Sequence, residues 1–302
     1  MQNVSRKNKQ RERNLKVRRA LIGAGAVGVL ALSVYCVLAS RDGSVRAARD
    51  YLSGRTPIIF AHRGASAYHT ENTLRAFDVA LDMGADVLEL DVRLSSDGKV
   101  VVTHDDTLER IGGRGDLVVS GTSFETLRSV ELRPIAADDA ESMTDLGTIL
   151  ERYRSSRVNI ELKSEEVALV DSVLHLISEH RAQHRVLVVS ANGELLQAFR
   201  ERSAGSVPTG ASFWEVTLFL ASFWLSLAAN PDFDALQIPA SETIPGLVSA
   251  DFIDYAHRHG VHVHYWTVNE PEMMRRLFEL GADGIMTDYP DRAYRVRAEL
   301  SL

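Results

Sequence analysis

The sequence predicts an α/β protein: a (β/α)₈ TIM barrel with a hairpin and loop inserted after strand two, preceded by one transmembrane helix. Eight strand-like segments alternate with eight helix-like segments over roughly 245 residues, which matches the usual length of such a barrel. Polar side chains stand where several of these strands end, as expected for a barrel site. A doubly wound open sheet is the alternative, but no glycine-rich phosphate turn follows the first strand.

The N-terminal end of the chain is basic, and the rest is acidic. Residues 1–19 hold eight Lys or Arg and one Glu, a net charge of +7. The whole chain carries −7, so subtracting +7 leaves −14 for the remaining residues. An acidic body argues against nucleic acid as a partner, because phosphate backbones bind to basic surfaces.

Residues 20–39 form a run of twenty uncharged residues. A helix of that length spans about 30 Å, the hydrocarbon thickness of a bilayer. We therefore predict a basic cytoplasmic tail (1–19), a transmembrane signal anchor (20–40), a linker (41–56) and a barrel domain (57–302). The basic flank places the N-terminus inside and the barrel on the extracytoplasmic side of the membrane. A cleaved signal peptide, with Val37 and Ala39 as the small-residue pair of its cleavage site, is the alternative, but the run exceeds a typical signal-peptide core.

The barrel elements follow in order from residue 58. The predicted strands are 58–62, 86–91, 158–163, 186–190, 207–211, 235–238, 261–266 and 284–287. The predicted helices are 72–83, 146–153, 165–181, 193–201, 214–229, 249–259, 271–280 and 291–299. The turn signal at residues 96–99 and the stretch 107–143 form one insertion, which we expect at the active-site face.

The second predicted strand carries two acids near a histidine. Glu89 and Asp91 share one strand face, because side chains alternate with a period of two. A hairpin folded about Asp97 and Gly98 would place residue 91 opposite His104. Two carboxylates and one imidazole predict a hard divalent cation beside a general acid or base. A surface hairpin with ordinary exposed charges is the other interpretation.

Strands one and three add further polar ends. His62 and Arg63 end strand one, and Glu161 and Lys163 share one face at the end of strand three. Three carboxylates from two strands can bind Mg²⁺ or Ca²⁺, with water and substrate oxygens completing the shell. The two cations suit a phosphate, and two imidazoles can share acid and base roles across phosphorus. Together these groups predict phosphodiester cleavage.

Several segments make the sequence recognisable. It resembles the glycerophosphodiester phosphodiesterase family across residues 57–292. The matching segments are HRGASAYHTENTLRAF (62–77), ELDVRLSSDGKVVVTHDDTLER (89–110), NIELK (159–163), VVSA (188–191), YWTVNEP (265–271) and GADGIMTDYP (281–290). One departure is Thr70, where the family commonly has Pro; it alters loop stiffness and no reactive group.

The resemblance implies a TIM-type barrel, a divalent metal, and hydrolysis of glycerophosphodiesters to an alcohol and glycerol 3-phosphate. It also implies residue roles, among which Trp266 is similar to an aromatic that packs against the glycerol part. Glu71 could bind metal, hold Arg63 or complement a helix N-terminus, and we favour a supporting role. By position the implied catalytic pair is His62 and His104, the metal ligands Glu89, Asp91 and Glu161, and the phosphate contacts Arg63 and Lys163.

Residues 213–229 break the barrel pattern. Residues 216–229 carry no charge, whereas an outer barrel helix should have one polar face. Burial under the insertion or in a dimer contact would explain this composition. The alternative is docking into the bilayer, which would favour lipid-derived substrates such as lysophospholipids. The aromatic residues concerned are Phe213, Trp214, Phe219, Phe223 and Trp224.

Other questions stay open at this point. A related phospholipase D-type enzyme acting on sphingolipids or lysolipids would share the barrel and the metal site. A catalytically inactive, membrane-tethered binder of phosphate ligands is a further alternative. The sequence leaves open which histidine is the acid. Asp288 could orient a catalytic residue or cap the last helix. His262 and His264 could touch substrate or fill the barrel interior, and for these two we favour the interior.

Overall fold

A computed structural model describes residues 50–54, 56–133, 141–164 and 166–302. The predicted tail (1–19), anchor (20–40) and most of the linker (41–56) lie outside these residues. Within the described ranges, no helix combines the length and the apolar composition that crossing a bilayer requires.

The described residues contain ten strands, which form a main sheet and a small second one. The strands are β1 (Ile58–Ala61), β2 (Val87–Leu94), β3 (Val100–Val102), β4 (Thr107–Leu108), β5 (Arg114–Val118), β6 (Arg157–Leu162), β7 (Val186–Val189), β8 (Ala235–Pro239), β9 (His262–Trp266) and β10 (Gly284–Thr287). Seven parallel strands and the antiparallel β3 make up the main sheet, and β4 pairs with β5. The parallel strands are ordered β7-β6-β2-β1-β10-β9-β8.

The predicted strand 207–211 is not formed as a regular strand. Single parallel bridges, Val188 with Thr209 and Gly210 with Ala235, instead connect β7 to β8. Pro208 has no N–H to donate, and a Cβ on Gly210 would lie 2.6 Å from Val189 Cγ1. These two residues account for the short pairing. The bridges complete a curled parallel sheet consistent with the expected barrel.

Ten helices lie among the described residues, most of them on the outside of the sheet. The first begins after Thr73, whose side chain accepts from the Ala76 N–H, as an N-cap does. The helices are α1 (Leu74–Asp82), α2 (Glu109–Gly112), α3 (Phe124–Arg128), α4 (Leu146–Arg152), α5 (Ala168–Glu179), α6 (Gly193–Ser203), α7 (Phe213–Trp224), α8 (Ala250–Arg258), α9 (Pro271–Glu279) and α10 (Pro290–Glu299).

Apolar side chains fill both the outer layer and the barrel interior. Helices pack on the sheet through two large buried clusters, one on each side of the ring. A third cluster lies inside, where Tyr51, Ile58 and Val87 pack together. Arg157 Nη1 donates to the Tyr51 carbonyl at 3.0 Å, so the chain that enters the domain is held at the N-terminal ends of the strands. The opposite end of the barrel is left for the site.

The hairpin after β2 forms, but its predicted register is wrong by one residue. Val92 pairs with Val102, and the Thr103 N–H donates to the Asp91 carbonyl, so residue 91 lies opposite 103 instead of 104. The cause is a three-residue loop closed by the Ser95 N–H on the Lys99 carbonyl, with Gly98 at φ 78°. His104 therefore lies beyond the end of β3.

Candidate active site

Three carboxylates meet at the C-terminal ends of β2 and β6. Glu89, Asp91 and Glu161 each offer an oxygen, and these atoms all lie within 4.8 Å of one another. The pairing of β2 with β6 sets Asp91 beside Glu161. Glu89 and Asp91 are buried, whereas Glu161 is partly exposed. Clustered carboxylate oxygens are the ligands that Mg²⁺ and Ca²⁺ take in proteins, so this set fits such an ion.

Burial makes the ionised form of these carboxylates costly. Burial and the neighbouring Asp91 carboxylate together raise the pKa of Glu89 to about 8. The Arg63 N–H donates to Glu89 Oε2 at 2.8 Å, and Lys163 Nζ lies 2.8 Å from Glu161 Oε1. These contacts offset part of the like-charge repulsion. A divalent cation would remove the rest, which is a second reason that the residues fit one.

Two residues in the left-handed region bring the first helix segment to the cluster. Asn72, at φ 59°, donates from Nδ2 to Asp91 Oδ2 and accepts the Asp91 N–H at Oδ1. Arg63, at φ 57°, places Nε 3.1 Å from Asp91 Oδ2, an ion pair without hydrogen-bond geometry. Sequence reasoning assigned Asn72 no role. An Asn next to Glu71 at a helix start was the available signal, since Asn tolerates positive φ.

His62 is held by a carboxylate from the far end of the chain. Its Nδ1 lies 2.7 Å from Asp288 Oδ1, which also accepts from the Ser66 hydroxyl, while Asp288 Oδ2 accepts from Asn269 Nδ2. Burial lowers the pKa of His62, but the Asp288 hydrogen bond and the Glu89 charge outweigh it, and the net shift is upward. A carboxylate only accepts, so Nδ1 carries the proton and Nε2 is left for chemistry. Asp288 therefore orients His62; the last helix begins after Tyr289 without a side-chain cap.

His104 has the same arrangement with a neighbouring acid. Its Nδ1 lies 2.8 Å from Asp105 Oδ1, and Asp105 Oδ2 accepts from Arg110 Nε at 2.7 Å. Arg110 in turn donates two hydrogen bonds, of 2.6 and 2.8 Å, to the Glu71 carboxylate. Sequence reasoning missed Asp105 and Arg110. Their signal was position alone, because both lie inside the segment 89–110 that carries the resemblance.

Glu71 joins the two halves of this network. Besides Arg110 it accepts from Arg63 Nη1 at 3.0 Å. Burial raises the pKa of Glu71, but the Arg110 hydrogen bond and the Arg63 charge outweigh burial and hold it below its usual range. An unbroken line of polar contacts thus runs from His104 to Asp91. Arginine side chains donate to both oxygens of the Glu71 carboxylate, and the supporting role of Glu71 stays a prediction.

The remaining residues expected at the site lie either at the open C-terminal end of the barrel, which we call the mouth, or inside the barrel. Trp266 ends β9 with its side chain 43% exposed, so it is accessible at the site end of the barrel. His264 is fully buried, with its ring 4.6 Å from that of Phe60, and burial lowers its pKa to about 3. His262 Nδ1 lies 3.2 Å from Asp283 Oδ1. His264 is therefore a neutral filler of the interior, as favoured from the sequence.

The model of the glycerophosphoryl diester phosphodiesterase family matches residues 62–292. This chain belongs to that family. A glycerophosphodiester phosphodiesterase of Bacillus altitudinis is 30% identical over 254 residues, covering 80% of this chain and 98% of the relative. Human lysophospholipase D GDPD1 is 27% identical over 271 residues, covering 77% and 83%. A solved structure, a putative glycerophosphoryl diester phosphodiesterase from Silicibacter pomeroyi, superimposes with a TM-score of 0.70 at 25% identity, covering 84% and 97%.

The protein is accordingly a phosphoric diester hydrolase.

The pairing of His62 with Asp288 in this phosphodiesterase can be tested by mutation. We expect Asp288→Asn to lower kcat/KM by about a hundredfold, because the amide no longer fixes the Nδ1–H tautomer. The variant also removes a contact that raises the pKa of His62. The limb of the pH profile that His62 governs should therefore move to lower pH. The measurement is kcat/KM across pH.

The matched control for this variant is Asp283→Asn. Asp283 also bonds histidines, His257 and His262, but it precedes β10 at the opposite end of the strand. It should change thermal stability and leave the pH profile unmoved. A reduced rate in Asp288→Asn with an unshifted profile would contradict an orienting role for Asp288.

Proposed function

We propose that this protein hydrolyses glycerophosphodiesters to an alcohol and glycerol 3-phosphate by acid–base catalysis with two histidines and a divalent metal. One observation carries the proposal: oxygens of three carboxylates on β2 and β6 lie within 4.8 Å of one another, and His62, which is paired with the Asp288 carboxylate, directly follows β1 beside β2. The family model covers all of these residues. Cleavage of a phosphodiester needs charge stabilisation at phosphorus and proton transfer at both the attacking and the leaving oxygen.

The metal would be held by Glu89, Asp91 and Glu161, and either Mg²⁺ or Ca²⁺ suits an all-oxygen set. When bound, it supplies Lewis-acid stabilisation of charge on the phosphate oxygens. Asn72 fixes Asp91 in place through two hydrogen bonds, so the ligand is oriented before any ion arrives. The same carboxylates hold Lys163 by ion pairs, at 2.8 Å from Glu161 and 3.6 Å from Asp91.

The proton transfers would belong to His62 and His104 through Nε2. One imidazole takes the proton of the attacking hydroxyl, from water or the neighbouring glycerol hydroxyl, and the other protonates the leaving oxygen. Asp288 and Asp105 hold the two rings in the tautomer this needs. Arg63 and Lys163 would contact the phosphate, and Trp266 would pack against the glycerol part.

We further propose that residues 20–40 anchor the enzyme, with the N-terminus inside and the catalytic domain on the extracytoplasmic side. The uncharged run and its basic flank support this topology. An anchored phosphodiesterase meets lipid-derived diesters, so lysophospholipids are a second substrate class. The resemblance to a lysophospholipase D favours that class, for which the products would be an alcohol and lysophosphatidic acid.

The experiment that tests the proposed function is product analysis on a panel of diesters. The full-length protein is supplied with Mg²⁺ or Ca²⁺ and with glycerophosphocholine, glycerophosphoethanolamine, lysophosphatidylcholine or sphingosylphosphocholine. We expect free glycerol 3-phosphate from the first two. Release of lipid phosphate only from the sphingolipid would favour the phospholipase D-type alternative. Binding of these ligands without turnover under either metal would contradict an enzyme and favour the inactive binder.

A further inference from the structure

The outward face of α7 is apolar and bare. Among the described residues, ten large hydrophobic side chains are exposed, and five of them lie on α7 or at its C-cap. Trp214 is 69% exposed and Leu225 is 62% exposed. An exposed apolar patch of this kind on a soluble domain marks a contact surface. We name it the α7 face, and its members are Phe213, Trp214, Leu218, Trp224 and Leu225.

The inward face of α7 packs against the hydrophobic core. Phe219 is buried, with its ring 5.1 Å from that of Tyr255 and 5.7 Å from that of Phe233. Phe223 lies against Phe252 and Tyr255. Phe219 therefore belongs to the core, and the expectation that it takes part in docking is wrong. Phe223 is partly buried and packs against the same core. Core packing thus accounts for the inward side chains of α7 and leaves the α7 face unexplained.

Polar groups at the edge of the α7 face are already paired. Glu215, the one charged residue of α7, receives hydrogen bonds of 2.6 and 3.1 Å from Arg200. Trp224 Nε1 donates to the Pro245 carbonyl at 2.9 Å. Covering this face with lipid would therefore leave neither the Glu215 carboxylate nor the Trp224 indole N–H without a partner, which keeps the desolvation cost of these two groups small. Tryptophan side chains are also the ones that favour a membrane–water interface.

The position of the α7 face relates it to the catalytic site. α7 begins at Phe213, a short step after the bridged residues 209–210, and its Phe213 N–H donates to the Ala191 carbonyl, just beyond β7. Phe213 and Trp214 therefore lie at the same end of the barrel as the carboxylates, because that is where parallel strands end. A surface that covers the α7 face would approach the mouth of the site.

We propose that the α7 face rests on a lipid bilayer of zwitterionic lipids and so presents the mouth to substrates in that bilayer. The step rests on the proposed anchor. Ten residues, 40–49, separate the uncharged run from the described domain, and they reach at most about 36 Å. The barrel is thus confined to the bilayer surface and must turn some side towards it. The chain beyond residue 19 carries −14, which disfavours anionic lipid.

Fluorescence tests the contact itself. The chain has three tryptophans, and two of them, Trp214 and Trp224, are on the α7 face; the third is Trp266. In full-length protein reconstituted in phosphatidylcholine vesicles, brominated acyl chains should quench most of the emission of these two. A Trp214→Phe, Trp224→Phe variant should lose the quenchable part. Emission of the native chain that brominated lipid leaves unchanged would overturn the proposal.

A comparison of activity on vesicle-embedded and soluble substrates tests whether the α7 face brings the enzyme to substrates in a bilayer. A Phe213→Ser, Trp214→Ser, Leu218→Ser, Leu225→Ser variant should lose about tenfold in turnover of lysophosphatidylcholine embedded in vesicles. Its turnover of soluble glycerophosphocholine should stay within about twofold, since none of these residues touches the carboxylate cluster. The control variant replaces exposed hydrophobic residues elsewhere, Val118, Val167 and Leu302, with Ser. It should retain both activities.

The outcomes separate this proposal from the proposed function. Equal losses on vesicle and soluble substrates would overturn the docking role. Without any turnover by the native chain, the proposed function fails, but quenching still decides whether the α7 face meets lipid. A second copy as occupant would appear as disulfide cross-linking of a Cys36→Ser, Leu218→Cys variant together with absent quenching, and that result would also overturn the proposal.

Discussion

Replacing either His62 or His104 with Ala is expected to lower kcat by at least about a hundredfold, the usual scale of general acid–base catalysis. That ratio corresponds to about 2.7 kcal/mol of transition-state stabilisation. The reason is geometric: each Nδ1 is committed to a carboxylate, and each Nε2 is left to move a proton. No other described imidazole has this pairing at the carboxylate end of the strands. The measurement is kcat on soluble glycerophosphocholine with saturating metal.

The control for the histidine variants is His175→Ala. His175 lies on the exposed surface of α5, 3.8 Å from Glu179, and its removal should leave kcat unchanged. The double variant His62→Ala, His104→Ala should be little slower than either single variant, because groups that act in one step are not additive. Full activity in either single variant would remove that residue from the mechanism.

The two single variants also divide the pH profile. Acid and base act together, so kcat/KM of the native enzyme should be bell-shaped. The residual activity of each variant should lack one limb, and the missing limb identifies the role. A variant that has lost its alkaline limb lacks the acid, because that limb reports deprotonation of a group needed in the protonated form. The two variants losing the same limb would contradict a division of roles.

The carboxylate cluster could be anticipated from local rules. Period-two alternation puts Glu89 and Asp91 on one face, and neighbouring parallel strands bring Glu161 to them. The partners of the histidines could not be anticipated in the same way. Asp288 is 226 positions from His62, and only the closure of the barrel between β1 and β10 brings them together. The hairpin register failed for a related reason, since loop length decides it and residue types alone leave two loop lengths open.

The order of strands around the barrel could be predicted from the sequence, because the alternation of strands and helices is still visible where one strand is irregular. The strand at 207–211 is reduced to two bridges, yet it occupies its expected place between β7 and β8. The faces of α7 were not predictable, because periodicity separates inside from outside only when one side is polar. With Phe219 inside and Trp214 outside, both faces carry large apolar side chains. The structure alone divides them.

Removing one carboxylate from the carboxylate cluster should have opposite effects on the stability of the protein without metal and with metal. Glu89→Gln replaces one of three acids whose oxygens lie within 4.8 Å of one another, and the amide oxygen can still accept the Arg63 N–H. Without metal at neutral pH, the variant should melt at a higher temperature than the native protein, because folding no longer has to protonate Glu89 or bury its charge, a cost that its raised pKa of about 8 indicates. With Mg²⁺ or Ca²⁺, the native protein should gain about 2.7 kcal/mol at a hundredfold excess over Kd, and the variant far less.

Activity should follow the loaded state. Glu89→Gln, Asp91→Asn and Glu161→Gln should each lose at least about a hundredfold in kcat/KM at fixed metal concentration, since ligand loss costs several kcal/mol of charge stabilisation. EDTA should abolish native activity, and added metal should restore it. Glu242→Gln, which breaks a surface ion pair with Arg276, is the matched control and should respond to metal as the native protein does. If metal raises the melting temperature of Glu89→Gln as much as that of the native chain, Glu89 does not hold the ion, because a carboxylate that contributes no binding energy is not a ligand.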